Sequence, residues 1–328
     1  MKKKVLVTGG AGCIGFEVSR QLRKYGFEPI IYDLAEKIMQ ISKYDEINKY
    51  ICGSILDKAM LNHSMKSVDY VIHLAALLGV ERTETEPLRC LEINIEGTKN
   101  VIEACLTNNI NKFIFASSSE VYGEPIEKKV TEVSMTQGKT VYAISKLAGE
   151  EYLKAVCKHH KIFKGIILRY FNTFGPFQTA QFAIPNFIRS VKKKKEPLVN
   201  GTGKQVRSYC FVSDTAKATV LALKYNIKNK DNFEIFNIGN PNNNISVLNL
   251  AKKIIKLSKE KNLKPEMDKD FHSTDRKKNR EIFSRICDIS KAKKILGFNP
   301  KVKLDEGLSK TIDSNQIWPN WPNEISKN

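Results

Sequence analysis

Residues 5–15 read VLVTGGAGCIG, and this stretch decides the fold. Residues 5–8 are apolar or β-branched and predict a short buried strand. A helical pattern follows from residue 14 to residue 25. Between them, Gly10, Gly12 and Gly15 fall in the order G-x-G-x-x-G. That spacing suits a tight turn at the first glycine, close approach of an anion to the backbone at the second, and close helix–strand packing at the third. A helix beginning there presents unpaired N–H groups and a partial positive charge to a pyrophosphate. Asp33 ends the next apolar run, residues 29–33, at the spacing where a carboxylate meets a ribose hydroxyl. Gly9, Gly10, Gly12, Cys13, Ile14, Gly15 and Asp33 therefore predict a dinucleotide-binding turn. A carboxylate at Asp33 repels a 2′-phosphate, so the predicted cofactor is NAD and not NADP.

The same rhythm continues outward. Strands are predicted at 5–8, 29–33, 70–74, 112–117 and 165–170, with helices at 14–25, 87–108 and 141–160 between them. Strand and helix in alternation predict an α/β fold, a Rossmann-type doubly wound parallel sheet. After Gly175 the elements shorten and Pro176, Pro185, Pro197 and Pro241 punctuate them. Helices are predicted at 247–259 and 288–296, the latter ended by Gly297. The expected organisation is a dinucleotide-binding domain over 1–172 and a smaller C-terminal substrate domain over 173–328. The run 233–239 is expected to return to the main sheet, so the two domains interleave.

The 328 residues are 41% hydrophobic and 27% charged, which excludes a disordered or fibrous chain. Lys and Arg number 54 against 35 Asp and Glu, a formal charge of +19 that favours anionic partners. The basic run 192–195 has no aromatic platform or groove-reading helix beside it, so it reads as a solvated helix end and no nucleic-acid partner is expected. Cys13, Cys52, Cys90, Cys105, Cys157, Cys210 and Cys287 include no C-x-x-C pair. No metal site or disulfide framework is expected, and a cytoplasmic, reducing compartment fits. No apolar run approaches the roughly 18–20 residues that span a bilayer, so no membrane association is expected. The basic start MKKK precedes too short an apolar stretch for a signal peptide.

Tyr142 and Lys146, in YAISK, stand four apart on the predicted helix 141–160 and share a face. An ammonium beside a phenol, near a positive nicotinamide, favours the phenolate and offers a general base near neutral pH. Such pairs occur by chance on many helices; a position downstream of the glycine turn gives this one chemical meaning.

With these motifs the sequence resembles the extended short-chain dehydrogenase/reductase family, in its nucleotide-sugar epimerase/dehydratase branch, from residue 4 to about residue 308. The matching segments are TGGAGCIG (8–15), GSILD with Asp57, HLAA (73–76), NIEGT with Asn94, SSSEVYG (117–123), YAISK (142–146), RYFNTFGP (169–176) and DISKAKKILGF (288–298). The resemblance implies that Asp57 contacts adenine, that Leu74, Ala75 and Ala76 lie beneath the cofactor, and that Asn94 is its structural asparagine. It implies catalysis by Tyr142, Lys146, Ser118 and Glu120, with Ser118 bonded to the C4 oxygen and Glu120 near C5 and C6. Ser118, Ser119, Glu120, Asn172, Arg207 and Arg285 are implied at the substrate, the two arginines as a clamp on its diphosphate. Where the family often has Arg after Gly-Pro, this chain has Phe177-Gln178.

The implied activity is oxidation of C4 of a nucleoside-diphosphate sugar by hydride transfer to NAD, with 4-epimerisation as the leading outcome. Ser119 stands where thymidine-type 4,6-dehydratases carry an aspartic acid, and a serine gives up a proton less readily. Glu120 stands where those enzymes carry the base that takes the C5 proton. A Ser–Glu pair is similar to that of guanosine-type dehydratases and uronate decarboxylases. Dehydration, decarboxylation and a 4-dehydrogenase that stops at the ketose stay open. A non-catalytic NAD sensor or regulator is the reading that Tyr142, Lys146 and Ser118 together oppose. A homodimer is implied through helices 87–108 and 141–160, which carry Leu91, Ile95, Val101, Leu147, Leu153 and Val156. The polar tail 315–328, with two Trp-Pro pairs, supports no functional expectation.

Overall fold

The computed structural model describes residues 2–44, 49–268 and 282–316. Six strands, β1 (Lys4–Thr8), β2 (Glu28–Asp33), β3 (Lys49–Cys52), β4 (Tyr70–His73), β5 (Lys112–Ser118) and β6 (Lys164–Tyr170), join a return strand, Phe233–Ile238, in one sheet. The order is return strand, β6, β5, β4, β1, β2, β3, and all neighbours run parallel. Strand order reverses between β1 and β4. In an open parallel sheet that reversal leaves a crevice outside the carboxyl ends of the strands, where ligands bind.

Successive residues of a strand point to opposite faces, and the core divides accordingly. Val5, Val7, Ile72, Ile114 and Ile166 pack on one face with Val18 and Leu22 of α1 (Cys13–Lys24) and with the helix Val212–Lys224. Leu6, Val71, Phe113, Phe115 and Ile167 pack on the other with Leu61, Val101 and Leu153. A third cluster joins the helices Ala183–Lys192, Val247–Leu257 and Leu304–Ser314.

Several elements lie outside the sequence reading. β3, α2 (Ala35–Ser42), α3 (Lys58–Ser64) and the helix Val212–Lys224 were not expected. β3 is a four-residue edge strand with both ends exposed, so it has no alternation to read. The expected helix 87–108 is three pieces: Pro87–Leu91, a π turn Glu92–Glu96 and Gly97–Thr107. Gly297 ends the helix Ser290–Leu296 at φ +65°, a left-handed conformation that glycine takes without strain. Val206–Ser208 and Ser284–Arg285 pair in parallel, which makes Arg207 and Arg285 neighbours across the ladder. All seven cysteines are free. Among the described residues no helix is long and apolar enough to cross a membrane, and no three His, Cys, Asp or Glu side chains group as metal ligands. The tail from residue 317 onward lies outside the described residues.

Candidate functional site

Residues at and beyond the carboxyl ends of β1, β2, β4, β5 and β6 line a cavity of about 530 Å³. The glycine turn forms one wall, with roles that shift by one residue from expectation. Gly9, not Gly10, takes the left-handed conformation (φ +68°), and a Cβ there would sit 2.6 Å from the Ala75 nitrogen. Gly10 lies behind the wall, where a Cβ would meet the Val7 carbonyl at 2.7 Å. The backbone needs its one left-handed residue directly after Thr8, so the turn begins before the motif's first glycine. Gly12 opens on the cavity, with only the Gly9 oxygen, at 3.3 Å, near its Cβ direction. A Cβ on Gly15 would press on the Gly9 oxygen at 2.3 Å. Cys13 and Ile14 follow on the same wall as α1 begins, with extended backbone at Gly12 and no side-chain cap. That start leaves N–H groups free for phosphate oxygens, so the turn fits a dinucleotide.

Asp33 also lines the cavity. Its Oδ2 accepts from the Ala11 N–H at 2.9 Å and its Oδ1 from the Leu34 N–H at 2.8 Å. Burial outweighs both bonds and pushes the carboxyl up to about 6. Leu74, Ala75 and Ala76 line the cavity as expected; Asp57 and Asn94 do not. Asp57 instead caps α3, accepting from the Met60 N–H at 2.9 Å. Asn94 sits in the π turn and acts as a clamp. Its Oδ1 accepts from the Leu77 N–H at 2.7 Å, and its Nδ2 donates to the Leu77 carbonyl at 2.9 Å and the Ser145 hydroxyl at 3.0 Å. Beneath lies His73, fully buried. Thr98 Oγ1 donates to the Asn94 carbonyl at 2.6 Å and so accepts from His73 Nε2 at 3.0 Å; Nδ1 then accepts from Thr8 at 2.6 Å. That tautomer is neutral, and burial with the Lys146 charge pulls His73 down to about 3.

The reacting groups come from two elements. The end of β5 passes into the 3₁₀ turn Ser119–Tyr122, and Ser118 caps this turn by accepting from the Glu120 N–H at 3.1 Å. The helix Val141–His159 carries Tyr142 and Lys146. Ser118 lies beside Tyr142 and favours its phenolate, and Ser118, Ser119, Glu120, Tyr142 and Lys146 all line the cavity. The Lys146 ammonium lies 5.8 Å from the centroid of the Tyr142 ring and donates to the Ala116 carbonyl at 2.8 Å. The pair does not by itself lower the phenol as expected. Burial and the Glu120 charge push Tyr142 up, while Ser118 and Arg285 pull it down. Burial itself lowers Lys146 to about 8. Thr140 escaped the sequence reading. It caps the helix, accepting from the Ala143 N–H at 3.1 Å, and donates to Glu120 Oε2 at 3.3 Å. A threonine directly before the first residue of a helix is the capping signal that could have found it.

The expected diphosphate clamp is divided. Arg285 lines the cavity, whereas Arg207, though buried, does not and donates to the Val206 carbonyl at 3.0 Å. Asn172 lines the cavity, and its Oδ1 is buried without a hydrogen-bond partner. Phe177, where the resembled family often has Arg, is buried at φ +66° and packs edge-on against Phe16 and Tyr44, each at 5.1 Å. It closes the glycine wall with an apolar ring, not a charge.

The NAD dependent epimerase/dehydratase family matches residues 5–239. The chain is 36% identical to a UDP-N-acetyl-alpha-D-glucosaminuronate decarboxylase of Bacillus cytotoxicus, over 95% of this chain and 97% of that protein. It is 32% identical to a dTDP-D-glucose 4,6-dehydratase of Bos taurus, over 98% and 91%. Its fold superposes on that of the UDP-glucose 4-epimerase of Thermotoga maritima, solved with UDP-glucose, at a TM-score of 0.83 and 30% identity, covering 94% and 97%. The glycine wall, the tyrosine–lysine helix and nearly full-length kinship agree: this chain belongs to the NAD-dependent epimerase/dehydratase family, enzymes of the short-chain dehydrogenase/reductase type that act on nucleotide sugars with NAD as cofactor.

Proposed function

We propose that this enzyme oxidises C4 of a nucleoside-diphosphate sugar and re-reduces it as a 4-epimerase. The shared lining of one cavity by Ser118, Tyr142 and Lys146, with the Lys146 ammonium 5.8 Å from the Tyr142 ring centroid, carries this reading. Gly12, the start of α1 and Asp33 would hold NAD, which would supply a hydride acceptor for C4. Tyr142 removes the O4 proton, and the Lys146 charge favours the phenolate. Ser118 fixes O4 beside Tyr142. As C4 becomes trigonal, its oxygen keeps both partners, and Tyr142 later returns the proton. Asn172 supplies an acceptor toward the substrate. Inversion requires the ketose to turn before hydride returns. No second acid is needed at C6, and Ser119, 1% exposed, supplies none.

A second reading rests on Glu120 and Arg285. The Glu120 charge opposes deprotonation of Tyr142, a cost that C4 chemistry alone does not repay. Glu120 could instead take the C5 proton, and Arg285, within electrostatic reach of Tyr142, fits a carboxylate on C5. Dehydration would use Glu120 to take the C5 proton as water leaves from C5 and C6; uronate decarboxylation would use Arg285 at the carboxylate, with CO₂ leaving C5 and a proton taking its place. The names of the Bacillus cytotoxicus and Bos taurus relatives support keeping this reading.

The test is incubation with UDP-glucose, UDP-glucuronate, UDP-N-acetylglucosaminuronate and dTDP-glucose in D₂O, with products read by mass and NMR. A C4 epimer without deuterium at C5 supports epimerisation. Deuterium at C5 that disappears in Glu120→Gln supports the second reading. No change in any sugar refutes both.

The assembly we propose is a homodimer. Val101 and Leu153 are fully buried within the chain and cannot serve a partner, but Leu88 and Ile144 are 82% and 49% exposed on the same two helical segments. Seven free cysteines support a cytoplasmic location.

A further inference from the structure

Behind the reacting groups lies a buried polar network with no part in the chemistry above. Glu150 follows Lys146 by four residues, as Lys146 follows Tyr142, so the three occupy one face of the helix Val141–His159. The side chains of Glu150 and Arg169 are 0% and 3% exposed. Glu150 Oε1 accepts from the Ser117 hydroxyl at 2.5 Å and from Arg169 Nε at 2.9 Å, and Oε2 accepts from Arg169 Nη2 at 2.7 Å. Arg169 Nη1 donates to the Tyr122 hydroxyl at 3.0 Å and to the Glu132 carbonyl at 3.2 Å. The guanidinium also lies 4.8 Å from the Tyr122 ring centroid. The Tyr122 hydroxyl in turn donates to Asn237 Oδ1 on the return strand at 2.6 Å.

Ser117 and Tyr122 bracket the turn that holds Ser118 and Glu120. We propose that the Glu150–Arg169 pair is a positioning element: it holds both ends of that turn against the helix carrying Tyr142 and Lys146, and so sets where Ser118 sits relative to Tyr142. Apolar packing already joins the two elements, with Phe113, Phe115 and Leu153 in one cluster. Apolar contacts are non-directional and permit small slides. A bidentate guanidinium–carboxylate pair has fixed geometry. Replacing a buried ion pair by apolar groups of similar volume is often neutral or stabilising, so stability alone gives little reason for five hydrogen-bonded polar groups here. This role rests on the C4 reading, in which the Ser118–Tyr142 geometry limits turnover.

The test uses the full-length, NAD-loaded enzyme and the nucleotide sugar found by the panel above. Glu150→Gln leaves Arg169 buried beside a neutral group and risks misfolding, so gentler variants carry the test. Tyr122→Phe keeps the ring under the guanidinium and removes one hydroxyl. Ser117→Ala removes one donor to Glu150. A small misplacement of reacting groups can cost about 100-fold, so kcat should fall about tenfold or more in each variant, with KM and NAD affinity within about twofold. Val220→Ala, a core change in the helix Val212–Lys224, should lower the melting temperature and keep kcat. The double variant should lose less than the product of the two single losses, because both act through one pair. A kcat within about twofold of wild type in both single variants, or a loss no greater than that of the Val220 control at equal melting temperature, overturns the proposal. A panel in which no sugar is oxidised overturns the C4 reading itself, and this role with it.

Discussion

Alanine at Gly12 and alanine at Gly15 should separate two functions that one motif conceals. At Gly15 the new Cβ would lie 2.3 Å from the Gly9 oxygen, 2.6 Å from Gly10 Cα and 3.0 Å from the Gly10 carbonyl carbon. A carbon–oxygen contact normally lies near about 3.3 Å, so something must yield by about 1 Å. All three atoms are backbone, and no rotamer change relieves them. Overpacking of this kind costs about 1–3 kcal/mol. At about 2–4 °C per kcal/mol for a large domain, the NAD-free protein should melt several degrees lower. NAD affinity falls with it, because the displaced atoms form the wall. Gly12 differs. Its backbone is extended (φ −77°, ψ 170°), and the Cβ direction meets only the Gly9 oxygen at 3.3 Å. Gly12→Ala should therefore melt within about 1 °C of wild type, as expected for a change within about 0.5 kcal/mol. Its methyl group nevertheless occupies the space through which a pyrophosphate reaches the backbone. NAD binding should weaken about tenfold or more, about 1.4 kcal/mol. Scanning calorimetry of the NAD-free variants and titration calorimetry with NAD measure both quantities. Undiminished NAD affinity in Gly12→Ala, or an unchanged melting temperature in Gly15→Ala, would refute the division.

Tyr142→Phe should retain NAD affinity and lose about 100-fold or more in turnover, the usual share of a positioned acid–base group; steady-state kinetics on the active sugar checks it. Asp33, raised to about 6 by burial, should weaken NAD binding several-fold as pH falls from 7 to 5, because the neutral acid is a poorer acceptor for ribose hydroxyls. The same shift acts in the opposite direction on the NAD-free fold. The folded state binds this proton more tightly than the unfolded chain does, at about 3.9. Stability from this group is therefore greatest below about pH 4 and declines as pH rises through about 6; Asp33→Asn should remove both dependences in titration calorimetry and thermal melts. Light scattering should give a dimer mass that falls toward the monomer in Leu88→Glu/Ile144→Glu; a concentration-independent monomer in the wild type counts against the assembly.

Local chemistry explains why so much was legible. The glycine spacing, the buried runs of β1, β4, β5 and β6, and the four-residue step from Tyr142 to Lys146 are short-range patterns, and short-range backbone geometry dictates them. They were sufficient for the parallel sheet and for the glycine turn and the Tyr142–Lys146 pair on the cavity wall; the run 233–239 read as the return strand, and Ser118, Ser119, Glu120, Asn172 and Arg285 came from the family resemblance. What only tertiary structure decided depends on meetings between distant segments. Asn94 becomes a clamp because a π turn aims it at Leu77 and Ser145. Asp57 becomes a helix cap, Arg207 bonds the Val206 carbonyl while Arg285 lines the cavity, and Phe177 closes a wall on Phe16 and Tyr44. The acidity of Tyr142 follows the same rule. A lysine one turn away suggested a lowered phenol, but burial and Glu120, 22 residues upstream, outweigh it. Electrostatic fields and packing sum over all neighbours in space, and sequence spacing records only those joined by one stretch of backbone.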